Sequence, residues 1–161
     1  MFMPISDEIL VNSIAGGQTS NSHTAFFADG TYITVWQGPF EDGGYLGIYA
    51  QRFSANGTPI DHQIKIDDMQ SFSNDFSPQV AALDDGSYVV TWQGSGVGDN
   101  NGIYARKFDA NNDPMGDEIL VNTEVSSNQE DPSIAVLSNG EIAIAWNTNV
   151  SAVGGAIMMQ R

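Results

Sequence analysis

Apolar positions along this chain alternate with polar ones in short bursts of five to eight residues, and each burst ends on a turn-forming dipeptide. The stretches "TAFFA" (24–28), "PQVAAL" (78–83) and "PSIAVL" (132–137) each run into Asp-Gly or Asn-Gly. Those pairs tolerate positive φ and mark tight hairpins. Beyond them lie "YITVWQG" (32–38), "YVVTWQG" (88–94) and "EIAIAW" (141–146), rich in β-branched and aromatic residues. A third set, "GIYAQRF" (47–53), "GIYARKF" (102–108) and "AIMMQR" (156–161), follows a loop of differing sequence. A fourth comprises "DEILVN" at 7–12, its verbatim copy at 117–122, and "HQIKID" at 62–67. Each set reads as a strand. No segment carries a capped apolar period of 3.6, so essentially no helix is predicted.

The four sets recur in one order, three times. Gly30, Gly86 and Gly140 share a phase, as do Trp36, Trp92 and Trp146, and Ile9, Ile64 and Ile119. The expected fold is all-β, three repeats of four antiparallel strands, each about the size of a β-propeller blade. One blade cannot bury both of its faces, so blades stack. One indole per repeat inside an apolar strand reads as inter-blade packing, with presentation to a sugar as the functional alternative. The repeated Trp and Ile positions are the expected core. The predicted divisions are 22–67, 76–122 and 131–161, within one repeat domain spanning 1–161. The chain opens with a fourth strand that lacks companions and closes on a third strand that lacks a fourth. Residues 7–12 are therefore expected to complete the last blade. Three blades are too few for a propeller. A six-bladed ring built from a homodimer is the leading expectation, and a single-chain threefold β-trefoil or β-prism is the alternative.

Composition narrows the partners. Among 161 residues, 20 are acidic and 5 are Lys or Arg, for a net charge of −15. Such a surface repels nucleic acid and anionic membranes. There is no cysteine, which removes disulfides, thiolate metal sites and thiol nucleophiles. No stretch has the form of a signal peptide or a membrane-spanning helix, so membrane insertion is not expected.

The pattern at Pro78 to Gln93, Gly102 to Asn111 and Glu118 to Asn122 resembles a tandem repeat of large bacterial secreted and surface proteins of the RTX type, with weaker copies on either side. The resemblance covers almost the whole chain. It implies a β-propeller-like repeat, an extracellular or cell-surface setting and an adhesin-like, calcium-associated context, and it brings no catalytic residues. The chain departs from that family in lacking the "GGxGxD" nonapeptide, so calcium does not follow from the resemblance.

Chemistry is expected on the loops that differ between repeats. In a four-strand meander the second-to-third loops and the inter-repeat connections share one end of the sheets, which reads as a binding surface or as ordinary loop drift. Glu41, Asp42, Asp99, Glu130 and Asp131 offer hard oxygen ligands there, and calcium is the metal they suit, although Asx- and Gly-rich loops also form turns unaided. Phe40, Tyr45, Phe72 and Phe76, with Asp75, Asn100 and Asn101, form a mix suited to stacking a sugar and bonding its hydroxyls, or to packing under the loops. His23, expected in a loop, and His62 read as surface residues. The Arg residues are confined to third strands and no G-x-S-x-G elbow occurs, so no catalytic group stands out. Converging loop acids, as in glycoside hydrolysis, remain a third and lesser reading. The expectation is a non-catalytic extracellular binding or structural module that self-associates. A carbohydrate-binding lectin is the alternative, a glycoside hydrolase the remote one, and glycans are candidate partners.

Overall fold

A computed structural model describes residues 8–13, 18–39, 45–67, 75–149 and 155–161. Among these residues there are strands and turns and no helix. The first sheet is β1 (Ser20–Phe26), β2 (Tyr32–Pro39), β3 (Leu46–Phe53) and β4 (Pro59–Lys65). The second is β5 (Phe76–Ala82), β6 (Tyr88–Gly96), β7 (Asp99–Phe108) and β8 (Ile119–Leu120). The third has β9 (Gln129–Val136), β10 (Ile142–Thr148) and β11 (Ala156–Gln160). Each is an antiparallel meander in sequence order. The all-β fold with repeated antiparallel sheets is thus as the pattern predicts.

The short turns share one construction. The amide of the first turn residue donates to the carbonyl four residues on, as in Phe27 to Thr31, Ser54 to Thr58, Leu83 to Ser87, Asp109 to Asp113 and Leu137 to Glu141. The fourth residue is left-handed: Gly30, Gly57, Gly86, Asn112 and Gly140, with φ between 68° and 86°. That conformation explains the Asp-Gly and Asn-Gly signals, and an Asx side chain locks the turn where Asp29 or Asp85 accepts from the amide two residues on.

The sheets stack face to face. Ile33, Val35, Ile48, Ala50 and Ile66 of the first meet Val80, Tyr88, Val90, Trp92, Tyr104 and Phe108 of the second. Val89, Ile103, Ala105 and Val121, on the other face of the second sheet, meet Ile144 and Trp146 of the third. Trp92 and Trp146 therefore each face the sheet before their own, while Trp36 of the first sheet has none before it, and all three are buried: Trp36 at 4%, Trp92 at 1% and Trp146 at 5%. The inter-sheet packing reading holds for Trp92 and Trp146, and the Ile phase holds at Ile64, which packs against the core between the first two sheets, but is corrected at Ile119 and Ile9. Ile119 and Ile9 are exposed: Ile119 lies opposite Ala105 on the face toward the third sheet, where no fourth strand of the third sheet covers it among the described residues. The array is open: sheet one packs on two and two on three, with no substantial contact between one and three among the described residues. Residues 8–12 form no strand here. They lie against the first sheet, where Ile9 touches the Gly57 turn and the Ser13 amide donates to Gln63 Oε1 at 3.2 Å.

Two joints tie the sheets together. Each first strand carries a left-handed bulge, at Asn21, Ser77 and Asp131. The Gln of each "WQG" reaches across to the next bulge: Gln37 Oε1 accepts from Ser77 N at 3.1 Å, and Gln93 Oε1 from Asp131 N at 3.4 Å. Gln37 Oε1 also accepts from Asn21 Nδ2 at 2.8 Å. Gln37→Ala removes an acceptor shared by two part-buried hydrogen bonds and is expected to cost about 1 kcal/mol, read by urea denaturation. The second joint is Arg52. Its guanidinium lies 4.0 Å from the Phe27 ring centroid and donates to Ala110 O of the following sheet at 2.8 Å.

Candidate functional site

The ends of the sheets opposite the short turns carry the differing loops, and there the chain builds a polar cleft. The Gly96–Asp99 reversal of the second sheet faces the connection that leads into the third. Between them lies a cleft of 240 Å³, lined by Asp99, Asn100, Asn101, Ser126, Ser127 and Asn128 among others. Gly98 makes the reversal with φ of 101°. Asp99 is held at both carboxylate oxygens: Oδ1 accepts from Asn101 N at 3.0 Å and Oδ2 from Asn122 Nδ2 at 2.8 Å. Tyr104 donates its hydroxyl to Asp99 O. Burial, with the nearby Asp99 charge adding to it, pushes the Tyr104 phenol up to about 12. Gln129, fully buried behind the cleft, donates to Ser127 Oγ at 3.3 Å and Thr148 Oγ1 at 3.4 Å. Glu124 stands on the same connection, its carboxyl held below the usual range by the Ser126 hydroxyl and amide. The cleft is thus a fixed carboxylate beside several amide and hydroxyl groups.

A second cluster lies beneath the loops, where the first sheet meets the second. Asp67 follows β4 and Asp75 precedes β5, and both are buried. Asp67 Oδ1 accepts from Ile48 N at 2.7 Å, and Lys65 Nζ sits 3.0 Å from Oδ2. Asp75 Oδ1 accepts from Ser95 N at 3.3 Å and presses on Gly94 so closely that a Cβ there would collide with it. The Asp67 carboxyl neighbours that of Asp75 and disfavours its charged form. Burial, then the Asp67 charge, pushes Asp75 up to about 8, and Glu118 adds to the shift. Burial raises Asp67 too, but Lys65 and the Ile48 amide oppose it. Burial beside a second carboxyl therefore favours the protonated form of Asp75 at neutral pH. The next joint has the same layout in uncharged form. Asn122 Oδ1 accepts from Ile103 N at 2.7 Å in the place of Asp67, and Gln129 takes the place of Asp75, accepting from Asn122 Nδ2 at 3.4 Å.

Of the residues singled out in the sequence, Asp99, Asn100 and Asn101 come together in the cleft. Glu130 and Asp131 lie within β9 rather than in a loop, where Asp131 Oδ2 accepts from Asn147 Nδ2 at 3.4 Å. Phe76 opens β5, half-buried, opposite Gln93. Asp75 is interior, and Tyr45 stands at the mouth of β3, partly exposed. Phe40, Glu41, Asp42 and Phe72 lie outside the described residues. Among the described residues no three His, Asp or Glu side chains gather in a way that could hold a metal. His23 lies in β1, where its Nδ1 accepts from Val80 N at 3.2 Å and helps join the first two sheets. The variable connection 123–131 was legible as a loop, but Ser126, Ser127 and Asn128 carried no signal of their own.

No family model matches the sequence, and no curated protein does. Solved structures do resemble the fold. One is a thermostable family-43 glycoside hydrolase, 14% identical, with a TM-score of 0.57 over 92% of this chain and 55% of that one. Another is an endo-arabinase from Bacteroides thetaiotaomicron VPI-5482, 13% identical, TM-score 0.58, covering 98% of this chain and 60% of that one. A third is the Hadza microbial sialidase Hz136, 9% identical, TM-score 0.62, covering 88% of this chain and 34% of that one. The chain spans at most about three-fifths of their lengths. The shared fold is the β-propeller kind. These similarities correct the expectation of a non-catalytic binding or structural module that is no enzyme, since proteins of this fold include glycoside hydrolases. The physical reason for the error is plain: glycoside hydrolysis needs only carboxyl groups brought together from separate loops, which leaves no linear motif to read.

Proposed function

We propose that this protein is a carbohydrate-active β-propeller module that binds and cleaves glycans at the loop-end cleft. The observation that carries the reading is the clamped carboxylate Asp99 among Asn100, Asn101, Ser126, Ser127 and Asn128, in a fold shared with glycoside hydrolases. Amides and hydroxyls suit sugar hydroxyl groups, and a carboxylate fixed at both oxygens is pre-oriented toward a reacting centre. Asp99 is the base or nucleophile in this reading. Its partner acid comes from the carboxyl groups at the same end of the sheets, Glu124, Glu130 and Asp131 among them. The test is release of reducing sugar from arabinan, and of chromophore from arabinofuranosyl and sialyl glycosides. Asp99→Asn is expected to lower turnover roughly 100-fold or more, with a loss of about 1–2 kcal/mol in stability because one clamped oxygen becomes a donor, and circular dichroism checks that the variant is folded. Absence of release from every substrate, or an Asp99→Asn protein as active as the parent, sinks it.

The finer architecture belongs to the same proposal. Two copies supply six sheets in one ring, the outward face of the third sheet meeting the outward face of the first sheet of the other copy. Polymeric glycans are met outside the cell, which agrees with the extracellular setting implied by the resemblance to RTX-type repeats. Light scattering at twice the chain mass supports the ring, and the mass of one chain overturns it.

A further inference from the structure

We propose that the groove between the second and third sheets is the seat of residues 8–12 of a second copy, added as an edge strand on β11. The groove holds 370 Å³ and is lined by Val89, Ala105, Val121, Ile142 and Ile144, with Ile119 at its margin. Its counterpart between the first and second sheets is closed, because Leu120 of the fourth strand packs there. The residues around Leu120 are "DEILVN", and the same six letters stand at 7–12.

The contacts in the occupied seat are explicit. Leu120 pairs with Tyr104 and Ile119 with Ala105. Val121 N donates to Ile103 O at 2.7 Å, and Asn122 Oδ1 accepts from Ile103 N at 2.7 Å. Register along the third sheet places Ile157, Met158 and Met159 where the second has Ile103, Tyr104 and Ala105. Transferred to β11, Leu10 stands opposite Met158 with its side chain in the groove. Ile9 stands opposite Met159, Val11 N donates to Ile157 O, and Asn12 Oδ1 accepts from Ile157 N.

Burial on both partners agrees. Leu10 is 80% exposed and Met158, opposite it in the proposed seat, 44%. An uncovered strand edge flanked by apolar side chains is a template for strand addition. The donor is a second copy because the segment lies against the first sheet of its own chain, at the opposite end of the stack from β11. The seat also continues an interface the chain already uses between its own sheets.

This rests on the two-copy ring proposed above and is independent of the glycan reading. The chain has no cysteine, so introduced thiols report alone. Leu10→Cys and Met158→Cys proteins are mixed and mildly oxidised. Directly opposed residues lie within disulfide reach. The expected product is a covalent dimer whose linking peptide joins positions 10 and 158, while neither protein alone forms it. Carried in one chain, the two substitutions are expected to give a doubly linked dimer. A disulfide within a single chain, or no 10–158 linkage in proteins that retain the parent's circular dichroism and melting temperature, overturns the proposal. A dimer by light scattering without that linkage overturns the seat and leaves the ring standing. Glycan turnover that fails while the linkage forms overturns the proposed activity alone.

Discussion

Asp75→Asn is expected to remove most of the alkaline instability of this protein. The unfolded Asp75 carboxyl titrates near 3.8, and the folded one is pushed up to about 8. A raised folded value means that the folded state holds a proton the unfolded chain gives up. Stability is therefore full at acid pH, falls as pH rises above about 4, and finishes falling near pH 8. The ionisable groups around it are Asp67 and Glu118, both of which oppose ionisation, with Lys65 paired to Asp67. A proton held that much more tightly by the folded chain than by the unfolded one makes the loss on the order of several kcal/mol. Asparagine keeps an oxygen for the Ser95 amide and offers a permanent donor to Asp67, which then stays ionised beside Lys65. Urea denaturation at about pH 5 and about pH 9 should show a steep loss for the parent and a much flatter response for the variant. Equal slopes would mean that Asp75 does not hold its proton in the folded chain.

The second large effect is Trp92→Ala. Trp92 is buried between the first two sheets and stacks on Tyr104, with ring centroids 6.3 Å apart at 25°. Removing a packed indole costs about 3–5 kcal/mol. Trp36 makes the matching stack on Tyr49, also at 6.3 Å. Its outward side, however, meets Val11, Asn12, Thr19 and Ser20 around a cavity of 220 Å³ instead of a neighbouring sheet. Trp36→Ala is expected to cost less in the isolated chain. Matched thermal denaturation of the two variants tests this, and equal losses would argue against a packing role set by the preceding sheet.

The strands were legible because the short turns announce themselves: a left-handed fourth residue demands Gly or Asn, and alternation between turns marks the buried face. The bulges were not. Asn21, Ser77 and Asp131 share a left-handed conformation but no residue type, so no letter betrays them. Ile119 misled because a recurring apolar residue looks like core, and only the stacking shows that its face of β8 looks toward a third sheet with three strands, whereas Ile64 faces a complete neighbour. The Asp67 and Asp75 pair was hidden because its members belong to consecutive repeats and meet only when the sheets stack. Asp75 looked like a loop acid available to a ligand. The cleft was legible as a variable segment, while its clamp was not, since Asn122 reads as the end of a strand and nothing marks it as the group that orients Asp99.

The glutamine of each "WQG" hands an acceptor to whatever sheet comes next, and the bulge of each first strand presents a donor to whatever came before. The first two repeats carry the coupling whole, whereas the third has Asn147 in the glutamine's place. Gene duplication or loss of either of the first two periods would thus leave the remaining joints correctly matched, so the number of such repeats is free to drift in evolution while the geometry of each joint stays constant.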